Sequence, residues 1–208
     1  MGELHRKVGL FFMFSADKCS ARQPAATGKG DGVNHLKIRA TIASDIPAIT
    51  AIYRPAVLTG TATFELMPPD EAEMKRRMEA VLVAGFPYLV ADAGGAVVGY
   101  GYLGAYRPRP AYAWSVENSI YVAPDAQRAG AGRALLNALI DIATSRGFRQ
   151  MIAVIGDSGQ RGSIGLHRAA GFTFCGTVHA VGFKQGRWLD QVLMQRALGE
   201  GDKSPPKG

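Results

Sequence analysis

The sequence predicts an α/β protein built on a mixed sheet with helices against its faces. Three observations carry this expectation: a strand-rich N-terminal half, a central strand, helix and strand over residues 114–155, and a closing pair of strands around the turn at Lys184 to Arg187. A chain of 208 residues at 47% hydrophobic is long enough for one well-filled core and short for two.

The elements follow in order. A first strand is expected over residues 37–42, after which Ser44 is placed to cap a helix running through Ala56, with Asp45 in its first turn. A second helix follows Pro69 over residues 71–83, with acids early, bases in the middle and Met74, Met78, Val81 and Leu82 on its apolar side. Strands at 88–92 and 96–105 are joined by Gly94 and Gly95, which reads as a hairpin. The segment WSVENSIYV, 114–122, has the β-branched and aromatic residues of a strand, and Pro124 stops it. A helix then starts near Gly130, its apolar positions Ala131, Ala134, Leu135, Ala138, Leu139, Ile142 and Ala143 recurring at three and four residues until Gly147. A strand at 150–155, a short helix at 163–170 capped by Ser163, and the final pair of strands complete the order. Residues 36–198 are expected to form the domain. Residues 1–35, without periodicity, are expected to be a disordered extension, and residues 199–208 a disordered tail.

The most informative stretch is the turn QRAGAG, Gln127 to Gly132, between the central strand and its helix. Gly130 and Gly132 remove side chains from the first helical turn, so that unpaired amides and the positive end of the helix dipole face a ligand closely. That is a phosphate site. A Walker loop is excluded, because Arg133 and Ala134 stand where Lys and Ser or Thr are required, and the glycine spacing excludes the standard dinucleotide fingerprint.

What remains, Q-x-x-G-x-G after a strand, resembles motif A of the GNAT acyl-CoA N-acyltransferases. The resemblance extends from about residue 36 to 198. RPAYAWSVENSIYV, IAVIGDSGQRGSIGLHRAAGF and VGFKQGRWLDQVLMQ, with IRATIASDIPAITAIYRPAV and GTATFE upstream, are similar to the phosphinothricin and methionine sulfoximine N-acetyltransferase branch. It implies a six- to seven-stranded mixed sheet flanked by about four helices, acetyl-CoA as co-substrate, no metal, and a homodimer. It implies that pantetheine pairs with the main chain at Ile120, Tyr121 and Val122, and that the pyrophosphate sits on Gln127, Arg128, Ala129, Gly130, Ala131, Gly132 and Arg133. An amide near Val122 would polarise the thioester carbonyl.

Glu117 lies on the strand face opposite Ile120, shared with Ser115 and Ser119. By itself it is a solvated strand glutamate or a base in a partly buried cleft; the resemblance puts the catalytic base at this position. His167, in LHRAAGF, occupies a helix position where many GNAT enzymes carry a tyrosine that donates to the CoA thiolate. An imidazole of pKa about 6.5 can protonate a thiolate whose acid lies at about 8.5, or His167 simply packs there, orients substrate or shares the role of base. The family usually has an asparagine where this chain has Gln160, and Gln160 and Ser163 are the expected further cofactor contacts. For the acceptor, YRPRPAYAW offers Arg107, Arg109 and Tyr112, with guanidinium groups suited to a carboxylate on a proline-restricted loop. Arg109 and Tyr112 are favoured over Arg107, and Phe64 walls the same pocket by resemblance. Lys184, Trp188 and Asp190 match the branch but are explained by a hairpin alone.

Composition bounds the partners. No apolar run approaches the roughly 20 residues of a membrane span. Two cysteines, Cys19 and Cys175, make no disulfide framework, which favours a cytoplasmic location. The net charge of +7 is scattered, part of it lies in the extension, and it suits polyanionic CoA as well as nucleic acid, so no nucleic-acid partner is assigned. The four histidines are dispersed without zinc-site spacing. The expected reaction is direct acetyl transfer in a ternary complex to the α-amine of a small carboxylate-bearing amino-acid analogue, of the phosphinothricin or methionine sulfoximine or sulfone type. The alternatives are another amine (a protein N-terminus, polyamine or other small metabolite), a non-catalytic acyl-CoA-binding protein, or nucleic-acid binding by the extension.

Overall fold

The computed structural model describes residues 36–206. The expected extension, with Cys19, lies outside the described residues, as do Lys207 and Gly208. One seven-stranded mixed sheet organises the described part, in the order β1-β2-β3-β4-β5-β7-β6. Its strands are β1 (Leu36–Ala40), β2 (Tyr88–Ala93), β3 (Ala96–Ala105), β4 (Ser115–Val122), β5 (Gln150–Ile155), β6 (Thr173–Lys184) and β7 (Arg187–Ala197). The helices are α1 (Ile46–Leu58), α2 (Glu71–Val83), α3 (Ala131–Ser145) and α4 (Arg161–Ala169). Fold class, strand number and helix number match the expectation. No helix among the described residues is long and apolar enough to cross a membrane.

Each face of the sheet has its own core. Alternation along β4 sends Val116, Ile120 and Val122 against α3, where Leu135, Leu136 and Leu139 are fully buried. On the other face Tyr121 joins Tyr53, Tyr88, Tyr100 and Tyr102, with Ile49, Met74 and Met78 of α1 and α2. These tyrosines stack: Tyr88 lies 5.0 Å from Tyr102 and Tyr53 meets Tyr121 edge-on at 4.8 Å.

Two caps differ from the expectation. Ser44 does not cap α1; residues 43–45 form a 3-10 turn, and the Asp45 carboxylate takes the Ile42 amide at 2.9 Å and the Arg39 guanidinium at 2.7 Å. A carboxylate with a half-buried cation beside it outcompetes a hydroxyl for this place. Ser163 does not cap α4 either, because that helix begins two residues earlier, at Arg161, with Gln160 in the cap position. The expected disordered tail is tied down as far as it is described: Arg149 Nη2 donates to Ser204 Oγ at 2.7 Å and to the Ser204 carbonyl at 2.6 Å.

The sheet is antiparallel except for β4 and β5, which pair in parallel from Ser115↔Gln150 to Asn118↔Ala153 and then part. Beyond that point β4 stays paired with β3 as far as Val122, and β5 with β7 as far as Ile155. The main chain of Ser119 to Val122 therefore faces a wedge.

Candidate active site

The wedge opens into a groove of about 1010 Å³, lined by Ile120, Tyr121 and Val122 of β4, the turn before α3, and the first turns of α4. Gln127, Arg128, Gly130, Gly132 and Arg133 line it, as do Gln160, Ser163 and His167. At the α3 N-terminus no side chain caps the helix, and the first intrahelical bond to Gly130 comes from the Ala134 amide. The amides of the preceding residues thus face outward at the positive end of the dipole. Arg128 (φ 65°) and Gly130 (φ 92°) both hold left-handed backbone, the conformation of turns in which neighbouring N–H groups make anion sites. The residues expected to hold pyrophosphate are together here, except that Ala131 turns its side chain into the core and Ala129 is not in the lining.

Glu117 is on the other face of β4, with Ser115, Ser119 and Tyr121, as alternation predicted. Burial pushes its carboxyl above the ordinary range, and the Arg107 guanidinium opposes this. Tyr102, the partner of Ser119 across β3 and β4, is held protonated above its usual range by burial, with the Ser119 hydroxyl opposing and the charges of Glu117 and Glu65 adding to the shift. Arg107, Arg109 and Tyr112 are exposed on the β3–β4 loop. Arg107 lies over the Tyr106 ring at 4.5 Å, and Tyr112 meets that ring edge-on at 5.8 Å. Arg107, ranked below Arg109 from the sequence, is the cation whose charge reaches Glu117. Phe64 lies apart from the groove lining, packed on Gly182 so closely that a Cβ there would fall 2.6 Å from its ring.

His167 is buried, 5% exposed, and both ring nitrogens are engaged. Nδ1 lies 2.8 Å from the Ser163 carbonyl and Nε2 lies 3.0 Å from Asn118 Oδ1. Asn118 Nδ2 donates to the Ile152 carbonyl at 3.2 Å, which fixes the amide with its oxygen toward the ring. Two acceptors thus face one imidazole, and both are satisfied only when it carries two protons. Burial lowers its pKa against that charge, and the Ser163 carbonyl opposes the fall. Glu117 and His167 are not neighbours; β4 stands between them. Asn118 escaped the sequence reading, although it is a polar residue at a position alternation assigns to the apolar face between Val116 and Ile120.

Gln160, expected to face the cofactor, lines the groove, and its Nε2 donates to Thr61 Oγ1 at 2.9 Å. The GFKQGRWLD segment is structural throughout the described contacts. Gln185 (φ 52°) and Gly186 (φ 73°) make the two-residue turn. Arg187 Nη2 donates to Asp157 at 2.7 Å, and Asp190 accepts from Ser158 Oγ at 2.9 Å. Among the described residues no cluster of three or more His, Cys, Asp or Glu suits a metal ion.

A family model described as an acetyltransferase (GNAT) domain matches residues 38–193. A phosphinothricin N-acetyltransferase of Alcaligenes faecalis is 52% identical over 170 residues, 82% of this chain and 86% of that protein. An L-methionine sulfoximine/L-methionine sulfone acetyltransferase of Pseudomonas paraeruginosa is 43% identical over 162 residues, 77% of this chain and 94% of that protein. A solved structure of a GNAT superfamily phosphinothricin acetyltransferase from Sinorhizobium meliloti in complex with AcCoA is 50% identical, with a TM-score of 0.80, covering 83% of this chain and 93% of that one.

Proposed function

The chain belongs to the GNAT acetyltransferase family and is an N-acetyltransferase, and from that premise we propose that it acetylates the α-amine of a small amino-acid analogue, of the phosphinothricin or methionine sulfoximine or sulfone type, using acetyl-CoA. The wedge between β4 and β5 carries this reading, because it presents unpaired strand main chain continuous with an uncapped helix N-terminus. A linear ligand with an amide-bearing arm and a pyrophosphate fits those two features in that order. Ile120, Tyr121 and Val122 would pair with the arm, and the amides of Arg128 to Arg133 would hold the pyrophosphate with the help of both arginine side chains. Acetyl-CoA supplies the acetyl group as a thioester, already activated toward an amine.

Glu117 accepts the proton of the incoming ammonium, directly or through water, and its burial raises its basicity toward neutral pH. The attack is direct, in a ternary complex. Arg107, Arg109 and Tyr112 hold the acceptor carboxylate, and Phe64 bounds the same pocket. His167 returns a proton to the departing thiolate. His167 lines the groove, and to give a proton it exchanges one of its two hydrogen bonds, to Asn118 Oδ1 or to the Ser163 carbonyl, for one to the thiolate.

The working unit is a homodimer. Edge strand β6 exposes Phe174, Val178, Val181 and Phe183, and Trp188 of β7 packs beside Phe183, apolar groups at a sheet edge suited to a second copy. A cytoplasmic location without nucleic-acid or membrane partners completes the proposal. The test is an acceptor screen for thiol release from acetyl-CoA over free amino acids, their sulfoxide, sulfone and phosphinate analogues, and N-terminal peptides. Turnover with methionine sulfone or phosphinothricin well above that with peptides is expected; the reverse order would move the substrate to a protein amine.

A further inference from the structure

Residues 59–65, which lead out of α1 and carry Phe64, are held from two sides, by the cap of α4 and by the turn between β6 and β7. Gln160, at the cap of α4, bonds Thr61 Oγ1 as described above. Lys184, at the end of β6, is 4% exposed, and its Nζ donates to the Thr63 carbonyl at 2.8 Å and the Ala56 carbonyl at 3.3 Å. Gln185 Nε2 donates to the Leu58 and Gly60 carbonyls at 3.3 and 3.4 Å. The segment is also seated from below, since a Cβ on Gly156, just past the end of β5, would lie 2.7 Å from the Thr61 carbonyl oxygen.

Burying an ammonium against two main-chain carbonyls is costly, and burial lowers the Lys184 pKa accordingly, with Glu65 opposing. Such a group is retained where it fixes a position. The segment it fixes faces two ways. Thr59, Gly60 and Ala62 line the groove. Thr63 and Glu65 are bonded to the Tyr53 hydroxyl at 3.0 and 2.9 Å on the α1 and α2 face, where the charges of Glu65 and Glu117 both act on Tyr102. The segment therefore joins the groove to the surroundings of Glu117.

We propose that Gln160 and Lys184 are positioning residues for the acceptor: through Thr61 and Thr63 they set residues 59–65, with Phe64, between the groove and the surroundings of Glu117 and so govern binding of the amine. This rests on the acetyl-transfer reading above. Gln160 is one methylene longer than asparagine, so Gln160→Asn withdraws the amide from Thr61 while keeping its chemistry.

The experiment compares Gln160→Asn, Thr61→Val, their double variant and Lys184→Met. Steady-state kinetics with methionine sulfone, calorimetric binding of acetyl-CoA, and hydrogen exchange of the substrate-free protein are measured on each. The expected result is an acceptor KM raised about 5- to 10-fold, an acetyl-CoA Kd within about twofold of the parent, and faster exchange confined to residues 59–65. The double variant should be no worse than the worse single one. A weakened acetyl-CoA Kd that parallels the KM change, additive effects of Gln160→Asn and Thr61→Val, or unchanged exchange at 59–65 would each overturn the proposal. If Lys184→Met fails to fold, the Gln160 and Thr61 variants carry the test. Hydrogen exchange needs no substrate, so failure of the clamp is distinguishable from failure of the amine assignment.

Discussion

Asn118 Oδ1 and His167 Nε2 meet at 3.0 Å although the residues stand 49 positions apart, and the same asparagine amide is bonded to the Ile152 carbonyl. One buried side chain thus links β4, β5 and α4 at the point where the two strands part. Asn118→Ala would remove the side-chain partner of the Ile152 carbonyl and of His167 Nε2, at a cost of about 1–3 kcal/mol. The His167 pKa, already lowered by burial, should fall further once an acceptor for its cation is gone. Proton NMR titration of the ring, with a denaturation curve beside it, checks both; an unmoved titration would show that Asn118 does not stabilise the cation.

Glu117→Gln should lower kcat/KM by about 10²- to 10⁴-fold while acetyl-CoA affinity stays the same. The pH dependence has a definite sign. A base works deprotonated, so the rate rises with pH through its pKa, and burial places that limb above the ordinary carboxylate range of about 4.3. In the glutamine variant this limb disappears, whereas the limb from the acceptor's own ammonium remains.

Arg107→Ala tests the electrostatics separately. The guanidinium holds the Glu117 pKa down against burial, so its removal raises that pKa and moves the acidic limb to higher pH. Because Arg107 is exposed, the displacement should shrink in high salt. An acidic limb insensitive to both substitution and salt would remove Arg107 from the account.

Gly130→Ala places a side chain at φ 92°, where the added Cβ meets no neighbour within 4 Å but the backbone itself resists. A cost of about 1–2 kcal/mol is expected, visible as a lower Tm. If the turn relaxes to avoid it, the amides before α3 lose their alignment and acetyl-CoA binding weakens; calorimetry distinguishes this from a stability loss alone.

Most of the fold was legible because its signals are local. The three- and four-residue spacing from Ala131 to Ala143, the alternation in WSVENSIYV and the Gly94-Gly95 turn each report on neighbours within one helix or hairpin. The side of β4 that Glu117 occupies came from the same alternation. The caps were harder, since Asp45 displaced Ser44 only because Arg39 on β1 supplies a cation. Contacts between distant segments left no local mark. Gln160 finds Thr61 across 99 residues and Lys184 finds Thr63 across 121, and neither spacing carries a pattern. Asn118 alone advertised itself, as an amide in an apolar row.

The wedge has an evolutionary corollary. Where β4 leaves β5, the recognition groups are peptide N–H and C=O, which every sequence supplies, so replacing Ile120 or Val122 by other strand-forming residues leaves that half of the site intact. On the reading proposed above, the amine is held by side chains drawn from the 59–65 segment and the β3–β4 loop. Donor and acceptor recognition would then be separately mutable, and a chain of this design could drift to a new amine without relearning how to hold its thioester.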